Sequence, residues 1–313
     1  IKRQQMKKYL ATVVSVSALV ATSAVAFAAD LPTRKEAAIA PVPQLWTGAY
    51  AGLNVGGGFS TSNTVQTIGY STFDWAASTL GMPFGFSAPY RSGYASVGQS
   101  GVIGGGQVGY NYQINPNILI GFEADFQGSG ISGSGTSYGL GGAIDASDKT
   151  HLQNGLVSTT AGIGWMGTAR ARVGYLVKPT LLLFGTGGFA YGDTWANVNS
   201  IGLHSHPRGE APDLVMPTSG SFNNVSVGWT AGGGAEWMFI QNWSSKVEVL
   251  YYDLGSQTLN GQYSPLINPA SPYNSVAIIN GASTKVNYQG VIARLGVNYH
   301  FNFANIAPVV AKF

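Results

Sequence analysis

Hydrophobic and polar residues alternate with a period of two through most of the chain from Trp46 onward. No stretch in that region has a helical period or the ~18 consecutive apolar residues of a membrane helix. The alternation predicts strands in eight segments: Trp46 to Ser60, Ser100 to Gln113, Ile118 to Gly128, Ile163 to Val177, Leu181 to Asp193, Ser226 to Ile240, Ser244 to Leu254 and Val286 to Phe303. Most approach the ~9–11 residues with which a tilted strand crosses a bilayer.

The connections carry a second pattern. After the second, fourth and sixth segments they are tight and hold turn residues, INPN at 114–117, KPT at 178–180 and QNW at 241–243. After the first, third, fifth and seventh they are long and rich in Ser, Gly, Asn and Pro. Short–long alternation around eight strands predicts an all-β fold, an eight-stranded antiparallel up-and-down transmembrane β-barrel with short periplasmic turns and long extracellular loops. An even strand number returns both ends of the chain to the periplasm.

Successive side chains of a strand point to opposite faces, so parity assigns each residue a solvent. In GWMGTARARVGYLV, residues 164–177, Trp165, Ala169, Ala171, Val173 and Tyr175 share one face and Met166, Thr168, Arg170 and Arg172 the other. The third segment sets Ile118, Ile120, Phe122, Ala124 and Phe126 against Glu123, Asp125 and Gln127. The sixth sets Trp229, Trp237 and Phe239 against Thr230 and Glu236, and the seventh Val247, Val249 and Tyr251 against Lys246 and Glu248. The eighth sets Val291, Leu295, Val297, Tyr299 and Phe301 against Arg294, Asn298 and His300. The fifth segment, LLLFGTGGFAYGD, is apolar on both faces, and glycines blunt the pattern of the second.

The polar face therefore gathers Glu123, Asp125, Glu236 and Glu248 with Arg170, Arg172, Lys246 and Arg294, four acids against four bases. The lumen of an eight-stranded barrel is narrow enough for side chains to fill it, so balanced charge there predicts a salt-bridged plug rather than an open channel. On the apolar face Tyr110, Tyr112, Tyr175, Trp237, Phe239, Tyr299 and Phe301 lie toward the short turns, and Phe59, Phe126, Trp165, Trp229 and Tyr251 toward the long loops. Two such belts fix the depth of a barrel in a bilayer. A soluble lipocalin-like barrel would have the opposite arrangement, apolar inside and charged outside.

Composition sharpens this picture. Only 9% of residues are charged against roughly 25% in ordinary soluble domains, and glycine occurs 44 times without a collagen-like period. With no cysteine, disulfides, thiolate metal sites and cysteine nucleophiles are excluded. From Met6 the chain reads MKKYLATVVSVSALVATSAVAFAAD, a basic start, an apolar run and an Ala26-Phe27-Ala28 exit, which predicts a secretory leader cleaved after Ala28. Residues 1–28 are thus expected to comprise upstream residues and leader, 29–45 a proline-rich periplasmic tether, and 46–313 the barrel. Removing Lys2, Arg3, Lys7 and Lys8 with the leader turns a formal charge of +3 into −1, which leaves no basis for nucleic-acid binding.

AFAADLP, WTGAYAGLNVGGGF, GGGQVGYNYQ, TARARVGY, TGGFAYG, WTAGGGAEW, NWSSKVEVLYYDLG and VIARLGVNYHF together resemble the alphaproteobacterial 25/31-kilodalton outer-membrane protein family, often labelled porin-family or outer-membrane β-barrel proteins. The resemblance implies a Gram-negative outer-membrane location and a surface-structural role, with related members described as surface antigens or hemin binders. Outer-membrane lipid or lipopolysaccharide and the barrel-assembly machinery are the expected partners. One departure is the tail NIAPVVAKF, which carries the chain past Phe301 and Phe303 to Phe313 and leaves open which aromatic signals assembly.

Little else points to chemistry. GGGF, IGGGQ and AGGG precede no helix and lack a following Lys-Ser/Thr, so they read as close-packing positions rather than phosphate loops. His204 and His206, in the third long loop, are weak candidates for metal or hemin. His151, Asp145 and Asp148 with nearby serines show no nucleophile signature, so no catalytic residue and no cofactor is expected. The resulting reading is a structural surface protein of the cell envelope, not an enzyme, with a small-solute porin and loop-mediated binding of hemin or a host surface as alternatives.

Overall fold

The computed structural model describes residues 45–74, 88–144, 150–205, 214–267 and 276–301. The expected leader, all of the tether but Leu45, His206, Asp145, Asp148, Phe303 and the tail lie outside them. In chain order the strands are β1 (Gly48–Ser60), β2 (Thr64–Asp74), β3 (Gly93–Ser96), β4 (Ser100–Gln113), β5 (Ile118–Ile144), β6 (Thr150–Lys178), β7 (Leu181–Ser205), β8 (Leu214–Ile240), β9 (Trp243–Leu259), β10 (Ser264–Ile267) and β11 (Val276–Phe301). Among the described residues β1, β4, β5, β6, β7, β8, β9 and β11 form a ring of antiparallel neighbours. β11 closes it on β1, from Ala49↔Phe301 to Ser60↔Gly290. Closure is what lipid demands, because an unpaired sheet edge in hydrocarbon has no water to bond.

Local chemistry builds the tight turns. At the first, Ile114 N–H donates to the Ile118 carbonyl at 2.9 Å, and the Asn115 side-chain oxygen accepts from Asn117 N–H at 2.9 Å and Ile118 N–H at 2.8 Å. At the second, the Trp46 indole N–H donates to the Pro179 carbonyl at 2.8 Å and ties the start of the barrel to its rim. At the third, Asn242 takes φ of 67°, a left-handed conformation that asparagine tolerates well.

The strands outrun the expected segments. β5, β6, β7 and β8 have 27, 29, 25 and 27 residues, and the regions expected to be loops continue the same ladders to Ile144↔Thr150 and His204↔Leu214. Bulges at Gly128/Ile131 and Ile163/Met166 mark the level where this extension begins. Beyond it the outward positions become Ser132, Ser134 and Thr136 on β5, Thr160 and Ser158 on β6, Asn197 and Asn199 on β7, and Asn223, Ser221 and Ser219 on β8. Hydrophobic alternation stops there because the outer face has left the apolar band, while backbone pairing continues. Between Trp165 and Tyr175 the strand spans about 33 Å, or about 25 Å along the normal at the usual tilt of about 40°, the height of an outer-membrane apolar band.

Inside, the barrel is layered rather than uniformly polar. Trp46, Leu119, Leu176, Leu182, Phe184 and Met238 form an apolar layer at the tight-turn end. This resolves the ambiguous β7, whose Leu182 and Phe184 point inward while Leu183 and Phe189 face out. Beyond the charged residues, Ile103, Ile131, Ile163, Met166, Leu250, Tyr252 and Ile292 form a second apolar cluster. Val65, Ala95 and Val97 of the first long connection join it, so these described parts of the connection pack inward where a surface loop is expected. β2 extends the wall beside β11 and β3 pairs with β2.

A short 3-10 turn, Ala88–Arg91, seats this strap. Tyr90 is fully buried where Gly139, Gly155 and Gly202 meet in register on β5, β6 and β7, and a Cβ at any of the three would overlap its carbonyl or ring. Arg91, also buried, donates to the Gln262 and Asn280 carbonyls, and burial lowers its pKa despite the nearby Tyr90 and Tyr70. Arg91 is the sole trypsin site between residues 61 and 99. Gly155→Ala should unseat Tyr90 at a cost of about 1–3 kcal/mol. Limited trypsinolysis is then expected to cut after Arg91 in the variant and spare it in the wild-type barrel; equal resistance would contradict the packing.

Candidate functional site: a charged layer across the lumen

Inward positions of β5, β6, β8, β9 and β11 bring Glu123, Asp125, Arg170, Arg172, Glu236, Lys246, Glu248 and Arg294 to one level between the two apolar layers, none more than 5% exposed. Some of these residues are ladder neighbours, as Glu123↔Arg170 and Glu248↔Arg294. The informative pairs instead cross the lumen. Arg170 reaches Glu248 on β9 at 2.7 Å while also holding Asp125 at 3.0 Å and Glu123. Arg294 on β11 meets Asp125 at 2.8 Å and Glu248 at 2.6 Å. Lys246, the ladder partner of Glu236, extends instead to Glu123 at 2.8 Å.

Arg172 pairs with Glu236 and lies 3.8 Å from the centroid of the Phe184 ring, so the guanidinium rests on the lower apolar layer. A Glu123 oxygen 4.0 Å from Arg172 links this pair to the rest, and all eight side chains belong to one network.

Polar neighbours add hydrogen bonds to two of the carboxylates. Tyr50 O–H donates to Glu123 at 2.7 Å, and Asn298 donates to Glu236 at 2.7 Å. Ser244 donates to Glu236 at 2.5 Å and lies 2.9 Å from His300 Nε2. The parity of Asn298 and His300 marked them as inward, whereas Tyr50 and Ser244 gave no charge signal. Tyr50 would have been found by running the same parity through β1, where a lone large aromatic occupies an inner face otherwise built of small and polar residues.

Outside, the sequence-predicted aromatics occupy two levels. Tyr110, Tyr112, Tyr175, Trp237, Tyr299 and Phe301 ring the tight-turn end, with Tyr299 and Phe301 edge to face at 5.0 Å. Trp165 stacks on Phe126 at 5.4 Å, and Trp229 meets Tyr251 at 5.3 Å at the other level.

The histidines sit differently from expectation. His204 is no loop residue: it is inside β7, buried, with Nε2 3.4 Å from Nδ1 of His151 on β6. No group of three or more His, Cys, Asp or Glu suited to a metal occurs among the described residues.

A closed antiparallel barrel that is apolar and aromatic-belted outside and charged within is an outer-membrane β-barrel protein. The chain belongs to the outer membrane protein beta-barrel domain family, whose model matches residues 14–301. It is 33% identical over 294 residues to the 31 kDa outer-membrane immunogenic protein of Brucella melitensis, covering 92% of this chain and 97% of that protein. It is 26% identical over 268 residues to the 25 kDa outer-membrane immunogenic protein of Brucella canis, covering 82% and 93%. Among solved structures, the outer membrane protein OprG from Pseudomonas aeruginosa aligns over 82% of this chain and 97% of that chain at 10% identity, with a TM-score of 0.34. The family read from the motifs and the outer-membrane location both stand.

Truncating one member of a buried ion network leaves the rest with uncompensated charge. Arg170→Met leaves Glu123, Asp125 and Glu248 with Arg294 and Lys246 as close partners, a net negative charge in the lumen, and should destabilise the barrel by about 3–5 kcal/mol. Urea titration of the folded protein, read by the mobility difference between boiled and unboiled samples, should register the loss; an unchanged midpoint would show that the layer is not stabilising.

Proposed function

We propose that this is a structural, surface-displayed protein of the outer membrane, which contributes to envelope integrity and carries a rigid extension above the outer leaflet. It is not a solute channel. One observation carries this reading: four acids and four bases, each with an ion-pair partner, fill the lumen between two apolar layers, which leaves no continuous wet path among the described residues. The inward strap adds a further obstruction on the long-strand side. An open porin of this fold would need an unfilled lumen with a charge excess.

The same reading assigns the rest of the chain. Residues 1–28 serve as the secretory leader and 29–45 as the periplasmic tether. The two aromatic belts seat the barrel against outer-membrane lipid and lipopolysaccharide, and the barrel-assembly machinery inserts it. The chain is not an enzyme in this account, since among the described residues the inward polar groups bond one another and the Ser244–His300 contact is buried in the lumen, closed to a substrate.

Conductance of the purified protein in a planar bilayer tests the proposal. The expected result is a silent bilayer, with discrete steps appearing only when the network is broken by changing Arg170 together with Glu248. Reproducible steps in the wild type that change size with Arg170 or Arg172 would overturn it in favour of a small-solute pore.

A further inference from the structure

The extension beyond the apolar band holds a cluster that the structural role leaves unused. His151 on β6 and His204 on β7 face the interior above the Tyr90 seat, both buried, with ring centroids 5.5 Å apart and planes at 59°. Their facing nitrogens, His151 Nδ1 and His204 Nε2, are separated by 3.4 Å. Zinc–imidazole bonds are about 2.0–2.1 Å long, so two nitrogens on one edge of a tetrahedral site lie about 3.3–3.4 Å apart. The observed separation is that edge.

A second observation concerns Gln153, the inward residue between His151 and the glycine seat. It is fully buried and is the ladder partner of His204, with its amide nitrogen 2.9 Å from His204 Nδ1. In this amide orientation Gln153 Oε1 has no hydrogen-bond partner. Turning the amide, whose oxygen and nitrogen ends are nearly isosteric, satisfies Oε1 by placing it as acceptor of the His204 Nδ1–H. That bond fixes the tautomer in which Nε2 carries the lone pair, aimed at His151. An imidazole whose far nitrogen donates to an amide or carboxylate oxygen is the usual outer arrangement of a metal-ligating histidine.

We propose that His151 Nδ1 and His204 Nε2 bind a borderline divalent transition metal, Zn²⁺ or its congeners Ni²⁺ and Cu²⁺, with Gln153 as positioning residue. A pair of imidazole nitrogens selects this class over Ca²⁺ or Mg²⁺, which prefer oxygen ligands. The ion joins β6 to β7 at the far end of the extension, within reach of the extracellular side.

The test uses the untagged, folded protein in detergent after chelator treatment. Zn²⁺ titration by calorimetry and Co²⁺ loading read by visible absorption are compared for wild type, His151→Ala, His204→Ala and Gln153→Leu, with heat-dependent gel mobility as the folding control. The wild type should bind Zn²⁺, give the intense bands of tetrahedral Co²⁺, and ignore Ca²⁺. Each histidine variant should lose affinity by about tenfold or more, and Gln153→Leu by about tenfold. If an alanine variant fails to fold, His151→Gln and His204→Gln replace it. Absence of Zn²⁺ binding by the wild type, or undiminished binding by a folded variant lacking both histidines, overturns the proposal.

Discussion

The barrel depends on ion pairs made across its own lumen. Eight strands enclose so little space that inward side chains must meet, and a charge placed there has no water shell to fall back on. Arg170 to Glu248, Arg294 to Asp125 and Lys246 to Glu123 each join strands that are not neighbours in the ring. Ladder hydrogen bonds fix each strand only against its neighbours, whereas these contacts fix opposite walls at one register. A slip of one residue on any of the five strands would turn its charges toward lipid and its apolar residues inward.

The outer surface answers a different constraint at each height. Tyrosine and tryptophan belts bracket an apolar band, and above it the same strands present Ser, Thr and Asn before reaching exposed apolar residues such as Tyr138, Leu140 and Ile201. β5 to β8 stay paired through all three zones, with bulges at Gly128/Ile131 and Ile163/Met166 where the extension begins. The extension is thus held by backbone pairing and by the strap packed within it, with Tyr90 filling the space left by paired glycines.

Much of this was legible in the residues because membrane strands sort two solvents by parity. The two arginines of TARAR, set two apart among small apolar neighbours, placed one face inside and the other in lipid, and the same rule gathered all eight charges before any coordinates. What parity missed has a physical reason in each case. The upper halves of β5 to β8 look like loops in the sequence because Ser, Thr and Asn crowd their outer face and the inner face mixes Gly133, Gly135, Thr159 and Ser200 with Val157, Ala196 and Val198, a weak hydropathy contrast, though the backbone still pairs. β7 was ambiguous because its lower end feeds Leu182 and Phe184 into an apolar layer of the lumen. The inward strap, and the pairing of His151 with His204 rather than with a loop neighbour, are long-range consequences of register that no local window contains.

The central claim is that charges on opposite walls are energetically coupled through the lumen, and a double-mutant cycle between Arg170 and Glu248 measures it most directly. Stabilities of wild type, Arg170→Met, Glu248→Gln and the double variant should give a coupling energy of about 2–3 kcal/mol, at the upper end for residues in contact. A coupling indistinguishable from zero, with the single-variant effects simply adding, would contradict the account.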